Sequence, residues 1–204
     1  MELTDQPTSI RPEVKSSARL CLIWGATFVL LSLVLASGCS RGTRELSITR
    51  PSQAVIIEDV PFFPQVDYQC GPASLAGVLN YYGDIVSPDE IAESIYRQNI
   101  RGTVSFDMVL YARQRGFASR WYKGSTDEIV RAVDSGNPII VMIDLGFSVA
   151  RAYHYMVITG YSFTGVTANT GTTPQKLISW ERFMSQWEKT QNWTLLITPK
   201  EAVI

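Results

Sequence analysis

Tyr68-Gln69-Cys70-Gly71-Pro72-Ala73-Ser74-Leu75-Ala76-Gly77-Val78-Leu79-Asn80-Tyr81-Tyr82-Gly83 is the stretch on which the reading of this 204-residue chain turns. Proline is tolerated in a helix's first turn and glycine is favoured just past its end. The order therefore predicts a helix that opens at Cys70-Gly71-Pro72 and stops at Gly83. Leu75, Val78, Leu79 and Tyr82 fall on one helical face and give it a side to bury. Cys70 then heads the helix, where unpaired amides and the positive end of the dipole favour the thiolate, the reactive form of cysteine. The competing reading is a structural cysteine packed as a small hydrophobe. Asp67, Tyr68 and Gln69 before it and Gly71-Pro72 after it are not core-like neighbours.

On the N-terminal side, Val60-Pro61-Phe62-Phe63-Pro64-Gln65 carries too much proline for a central strand and reads as an extended lead-in. Further back, Arg11, Lys15 and Arg19 precede the uncharged run Leu20 to Leu35, which gives way to Ala36-Ser37-Gly38-Cys39. Basic, then apolar, then small is the layout of a secretory signal, and the run is shorter than the roughly 20 residues of a usual membrane span. Residues 1–38 are expected to be a signal peptide and residues 39–54 a polar tether, leaving 55–204 as the folded domain. The small residues ending at Cys39 resemble the bacterial lipobox, which implies a diacylated Cys39. That would anchor the chain to the bacterial envelope with its domain facing the periplasm, and Ser40 after the cysteine is compatible with the outer membrane. With Cys21 in the apolar run and Cys39 assigned to lipid, Cys70 has no partner for an internal disulfide.

On the C-terminal side, Ser87-Pro88-Asp89-Glu90 is a capped helix start that predicts a helix over 91–98. Ser105 opens another through Gln114, and Ser125-Thr126-Asp127-Glu128 a third, ending near Ser135-Gly136. The pattern then changes. Residues 138–143 and 155–159 are short β-branched runs bounded by turn residues and read as buried strands, with further strands expected over 166–169 and 193–198 and a helix over 179–187. Helices first and a sheet later give an α+β domain. Trp180, Trp187 and Trp193 are expected to pack the last helix and strand, and Asp144 to form a turn.

Composition narrows the function. Hydrophobic residues make up 46% and the formal net charge is −1, with Lys and Arg scattered, which argues against nucleic acid as a partner. His154 is the sole histidine. One histidine and one thiol are too few for a structural zinc site, and no metal or organic cofactor is expected. They do supply what nucleophilic catalysis requires, a thiol and a base for its proton.

Phe62-Phe63-Pro64-Gln65, then Gln69-Cys70-Gly71-Pro72-Ala73, and later His154-Tyr155-Met156-Val157-Ile158-Thr159-Gly160-Tyr161, resemble the double-glycine leader peptidases and their stand-alone C39-like relatives. Those are papain-like cysteine peptidases. The resemblance covers the chain from Val60 to Pro199. It implies an N-terminal helical half carrying the nucleophile helix, packed on a C-terminal antiparallel sheet. It makes Cys70 the nucleophile, His154 the general base and later acid, and Gln65 a donor to the oxyanion. Gln65 stands one residue closer to the cysteine than in most leader peptidases, so Gln69 is a second choice for that donor. Where the family has aspartate followed by proline, this chain has Ala168-Asn169-Thr170-Gly171, which implies Asn169 as orienter of the imidazole, as in the Cys-His-Asn arrangement. The expected function is hydrolysis of a peptide bond in a peptide or protein substrate. The alternatives are an inactive relative that binds peptides in the same cleft, and an acyl transferase or amidase acting on cell-wall peptides.

Overall fold

In the computed structural model, the described residues are 51–65, 69–100, 102–146 and 151–200, all within one compact unit of the chain, Ser47–Ile204. Cys39, the proposed signal peptide and most of the tether lie outside them. Among the described residues no helix is long and apolar enough to cross a membrane.

After a short strand, β1 (Val55–Ile56), the extended segment leads to α1 (Cys70–Tyr81). Gly83 ends that helix in the left-handed region, at φ 87°. α2 (Pro88–Ile95) has a full capping box: Ser87 and Glu90 exchange side-chain and backbone bonds. It stops three residues short of the expected end, because Tyr96–Arg97 (β2) turns into a small hairpin with Gly102–Thr103 (β3). α3 (Ser105–Gln114), β4 (Phe117–Lys123), α4 (Thr126–Asp134), β5 (Ile139–Asp144), β6 (Tyr153–Tyr161), β7 (Gly165–Thr170), β8 (Thr173–Ser179), α5 (Trp180–Trp187) and β9 (Trp193–Pro199) complete the order. β4 and β8 lie where no strand is expected. They form the two edges of the sheet, carry charged or proline-containing sequence, and lack the apolar runs that mark its centre.

The sheet runs β4-β9-β5-β6-β7-β8, antiparallel throughout, with β1 beside β6 beyond the end of β5. Both of its faces are covered, which explains the near-continuous apolar sequence of β5. Alternation sorts the side chains: Ile140, Tyr155, Val157, Leu195 and Ile197 pack with α1, α2 and α3. Ile139, Val141, Ile143, Met156 and Ile158 pack with α4 and α5. Phe183 stacks on Trp187 at 5.0 Å, and the Trp187 indole N–H donates to the Trp193 carbonyl at 3.0 Å. Gly77 admits the lead-in segment: a Cβ there would stand 2.8 Å from the Pro61 carbonyl oxygen.

Candidate active site

Cys70 is the first residue of α1, and the helix axis carries it onto β6. Its sulfur receives backbone N–H groups from Tyr155, Gly71 and Cys70 itself, which favour the thiolate. Burial outweighs them and pushes the thiol above its ordinary value. The expectation that the helix terminus alone would make this a ready thiolate thus meets an opposing desolvation cost. Gly71 lets the β2–β3 hairpin close over the site, for a Cβ there would meet the Thr103 side chain at 3.0 Å.

The residue before Tyr155 is His154, so β6 carries the expected base to the residue next to the amide that favours the thiolate. The imidazole emerges on the sheet face opposite to Tyr155, beside Ile143, its partner in register. Its Nε2 meets the Thr170 hydroxyl oxygen at 2.9 Å. A hydrogen bond between thiol and imidazole is not among those made by the described residues, nor does Nδ1 take a partner there. Burial, and then the Lys176 ammonium, hold the imidazole below its ordinary pKa.

Asn169 is next to the ring's partner but is not that partner. β7 alternates, and Asn169 is turned to the α1 side with Val157. There its Nδ2 donates to the Val60 carbonyl at 3.3 Å and its Oδ1 accepts from the Gln175 N–H at 2.9 Å. The contact assigned to Asn169 from sequence is made by Thr170. One position along a strand reverses the face, and the spacing of the motif alone did not locate that reversal.

Gln65 is held by Ser74 of α1, the β6 backbone and Gly171, and is fully engaged. Its Nε2 donates to Ser74 Oγ at 3.1 Å and to the Tyr155 carbonyl at 3.2 Å, and its Oε1 accepts from the Gly171 N–H at 2.8 Å. Its backbone N–H donates to the Gly171 carbonyl at 2.8 Å. Gln69 occupies the position just before α1, where its side chain makes no capping bond. Asp144 is the turn former expected of it: it accepts from the Gly146 and Ala152 N–H groups and from Arg151, at 2.8, 3.0 and 2.8 Å. The Ala152 amide first, and then the Arg151 guanidinium, hold its carboxyl down at about 2. Among the described residues no group of three or more His, Cys, Asp or Glu side chains is gathered to hold a metal.

Two hollows flank the start of β6. One, of about 810 Å³, is lined by Cys70, Thr103, Ser105, Met142, Tyr153 and Tyr155. Tyr155 Oη lies 2.6 Å from Ser105 Oγ, and burial pushes its phenol up to about 12. The buried Thr103 hydroxyl beside it has no partner among the described residues. The other, of about 310 Å³, is lined by His154, Thr170, Thr173, Lys176, Arg182 and Gln186 among others.

The model of the Peptidase_C39 like family matches residues 57–194. No curated protein matches the chain. Among solved structures, the peptidase domain of Streptococcus ComA, a bifunctional ABC transporter involved in quorum sensing, is similar at 26% identity and TM-score 0.58, over 69% of this chain and 99% of that one. A putative C39-like peptidase from Bacillus anthracis is similar in fold at 17% identity and TM-score 0.61, over 73% and 99%. So is a double glycine motif protease from an AMS/PCAT transporter, solved with its leader peptide, at 22% identity and TM-score 0.58, over 74% and 99%.

Proposed function

Since this chain belongs to the Peptidase_C39 like family, we propose that it is a membrane-anchored cysteine peptidase that cleaves a peptide bond through an acyl-enzyme on Cys70. The observation that carries the reading is the docking of α1 on β6, with Cys70 and Tyr155 lining one hollow and His154 the residue before Tyr155. With the thiol held high and the imidazole low, the resting pair is neutral. His154 therefore works as a general base: Nδ1 takes the thiol proton as sulfur bonds to the carbonyl carbon, then delivers it to the leaving amine as the carbon–nitrogen bond breaks. Water, deprotonated by the same nitrogen, cleaves the thioester. Thr170 is the positioning residue, since its hydroxyl occupies Nε2 and leaves Nδ1 as the nitrogen for the thiol proton. The Cys70 N–H stabilises the oxyanion, and Gln65 joins it by exchanging its bond to the Tyr155 carbonyl for one to the substrate.

A peptide substrate is supported by the AMS/PCAT protease, which was solved with a leader peptide. A second reading, binding without turnover, is favoured by one observation: the carboxylate of the family's third position is replaced by neutral Asn169 and Thr170.

Iodoacetamide labelling of the full-length chain in detergent micelles, resolved by mass at Cys70, tests the choice. In His154→Ala the rate at neutral pH is expected to fall by at least about tenfold. Equal rates in the two proteins would replace the enzyme with the binding module. Anchoring is tested separately: metabolic palmitate label is expected on Cys39 and lost in Cys39→Ala, and label retained in that variant would refute the lipid anchor.

A further inference from the structure

We infer that the hollow lined by His154, Lys176 and Arg182 binds the leaving-group side of the substrate and selects a carboxylate there, so that the peptides cut carry Asp or Glu just after the scissile bond. This rests on the peptidase reading, which supplies the direction: the group that protonates the leaving amine must stand beside it, so the leaving chain runs toward the imidazole. The acyl side then falls in the hollow of Cys70, Met142, Tyr153 and Tyr155.

The two hollows differ in charge as well as position. Among the described residues lining the acyl-side hollow, the guanidinium, Arg151, is already paired with Asp144 at 2.8 Å. The smaller hollow is built from four strands and a helix: Ile143, His154, Thr170, Lys176 and Ile178 form its sheet floor, and Arg182 and Gln186, one helical turn apart on α5, its wall. Among the described residues lining it, none is acidic. Lys176 reaches the same face as Thr170 because it pairs in register with Ala168 on β7. Burial first, and then the Lys176 charge, disfavour a protonated imidazole there, and the Lys176 and Arg182 cations repel each other across one small hollow. An incoming carboxylate relieves that repulsion and eases proton gain at His154 when the amine is about to leave. A lysine in the same place adds a third positive charge.

The sole histidine makes the test direct, because its ring gives a single unambiguous NMR signal. Three leaving-group products, H-Glu-Ala-NH2, H-Gln-Ala-NH2 and H-Lys-Ala-NH2, are titrated into the full-length Cys70→Ala chain in detergent micelles. The glutamyl peptide is expected to saturate the His154 shift at about tenfold lower concentration than the glutaminyl one, and to raise the ring's titration midpoint. The lysyl peptide is expected to be weakest. K176Q/R182Q should erase the preference, and K176E/R182E should transfer it to the lysyl peptide. Three peptides that saturate alike, or a glutamyl preference that survives K176E/R182E, would overturn the inference. The measurement needs no turnover, so a chain that hydrolyses no peptide yet keeps the preference would sink the peptidase reading and leave this site standing.

Discussion

The two faces of the central sheet are built alike and equipped differently. The face under α1, α2 and α3 buries the thiol end of a helix against Tyr155, and a charged pair near the site, Asp144 with Arg151, is internally satisfied. The face under α4 and α5 is as well packed, with Trp180, Phe183 and Trp187 fully buried, yet it opens at one end into a hollow with cations and an imidazole. A single strand serves both, for from Tyr153 to Ile158 β6 gives its odd residues to one face and its even residues to the other. Catalytic groups can thus be divided between two chemically distinct compartments without any long excursion of the chain, since adjacent residues of a strand point in opposite directions.

The largest effects should come from each core in turn. Leu75→Ala under α1 and Phe183→Ala in α5 are each expected to cost about 3–4 kcal/mol in urea unfolding. If the sheet separates the two cores energetically, the double variant should lose their sum within about 0.5 kcal/mol. A clear departure would mean that the sheet transmits packing between faces. Next in size, Thr170→Val should lower kcat/KM by about tenfold, the loss of one positioning bond worth about 1.4 kcal/mol, with KM little moved and recovery in Thr170→Ser. An unchanged pH–rate profile in Thr170→Val would remove Thr170 from the machinery. On the thiol face, Thr103→Val should stabilise the protein by about 1 kcal/mol or less, because an unpaired buried hydroxyl is replaced by a methyl of the same shape; a lowered Tm would reveal a partner for it. The smallest effect is a slope with pH. The His154 imidazole is held below its ordinary value in the fold, so the unfolded chain takes up its proton more readily. Stability contributed by the neutral ring is complete above about 6.5, the unfolded value, and is lost as pH falls toward the lower folded one; His154→Gln should flatten that slope.

Much of this was readable from local rules. The Ser87 capping box, the Gly83 stop and the β-branched run of β5 each obey a rule that acts within a few residues, and each marks a helix start, a helix stop or a strand that formed there. The edge strands were not readable, because Arg120 and Lys123 in β4 and Pro174 and Lys176 in β8 follow solvent rather than the core. At the site, Cys70 and His154 could be singled out as the lone thiol of the domain and the lone imidazole. The choice between Asn169 and Thr170 could not, since it depends on which way β7 faces, and that parity is set by pairing with β6 across a bulge between Ile158 and Gly160. The drift of the Cys70 thiol was also invisible, because it balances the Tyr155, Gly71 and Cys70 amides against a burial that exists only in the folded chain.

Gln65 has a further consequence. Through four bonds it ties the lead-in segment to the tip of the β7–β8 hairpin, to Ser74 one turn into α1, and to the β6 backbone. Segments joined by so many shared bonds open together rather than singly. In hydrogen exchange, the Gln65 and Gly171 amides should therefore trade for deuterium at one common rate. The hairpin that holds Thr170 and the helix that holds Cys70 would then breathe as a single foldon.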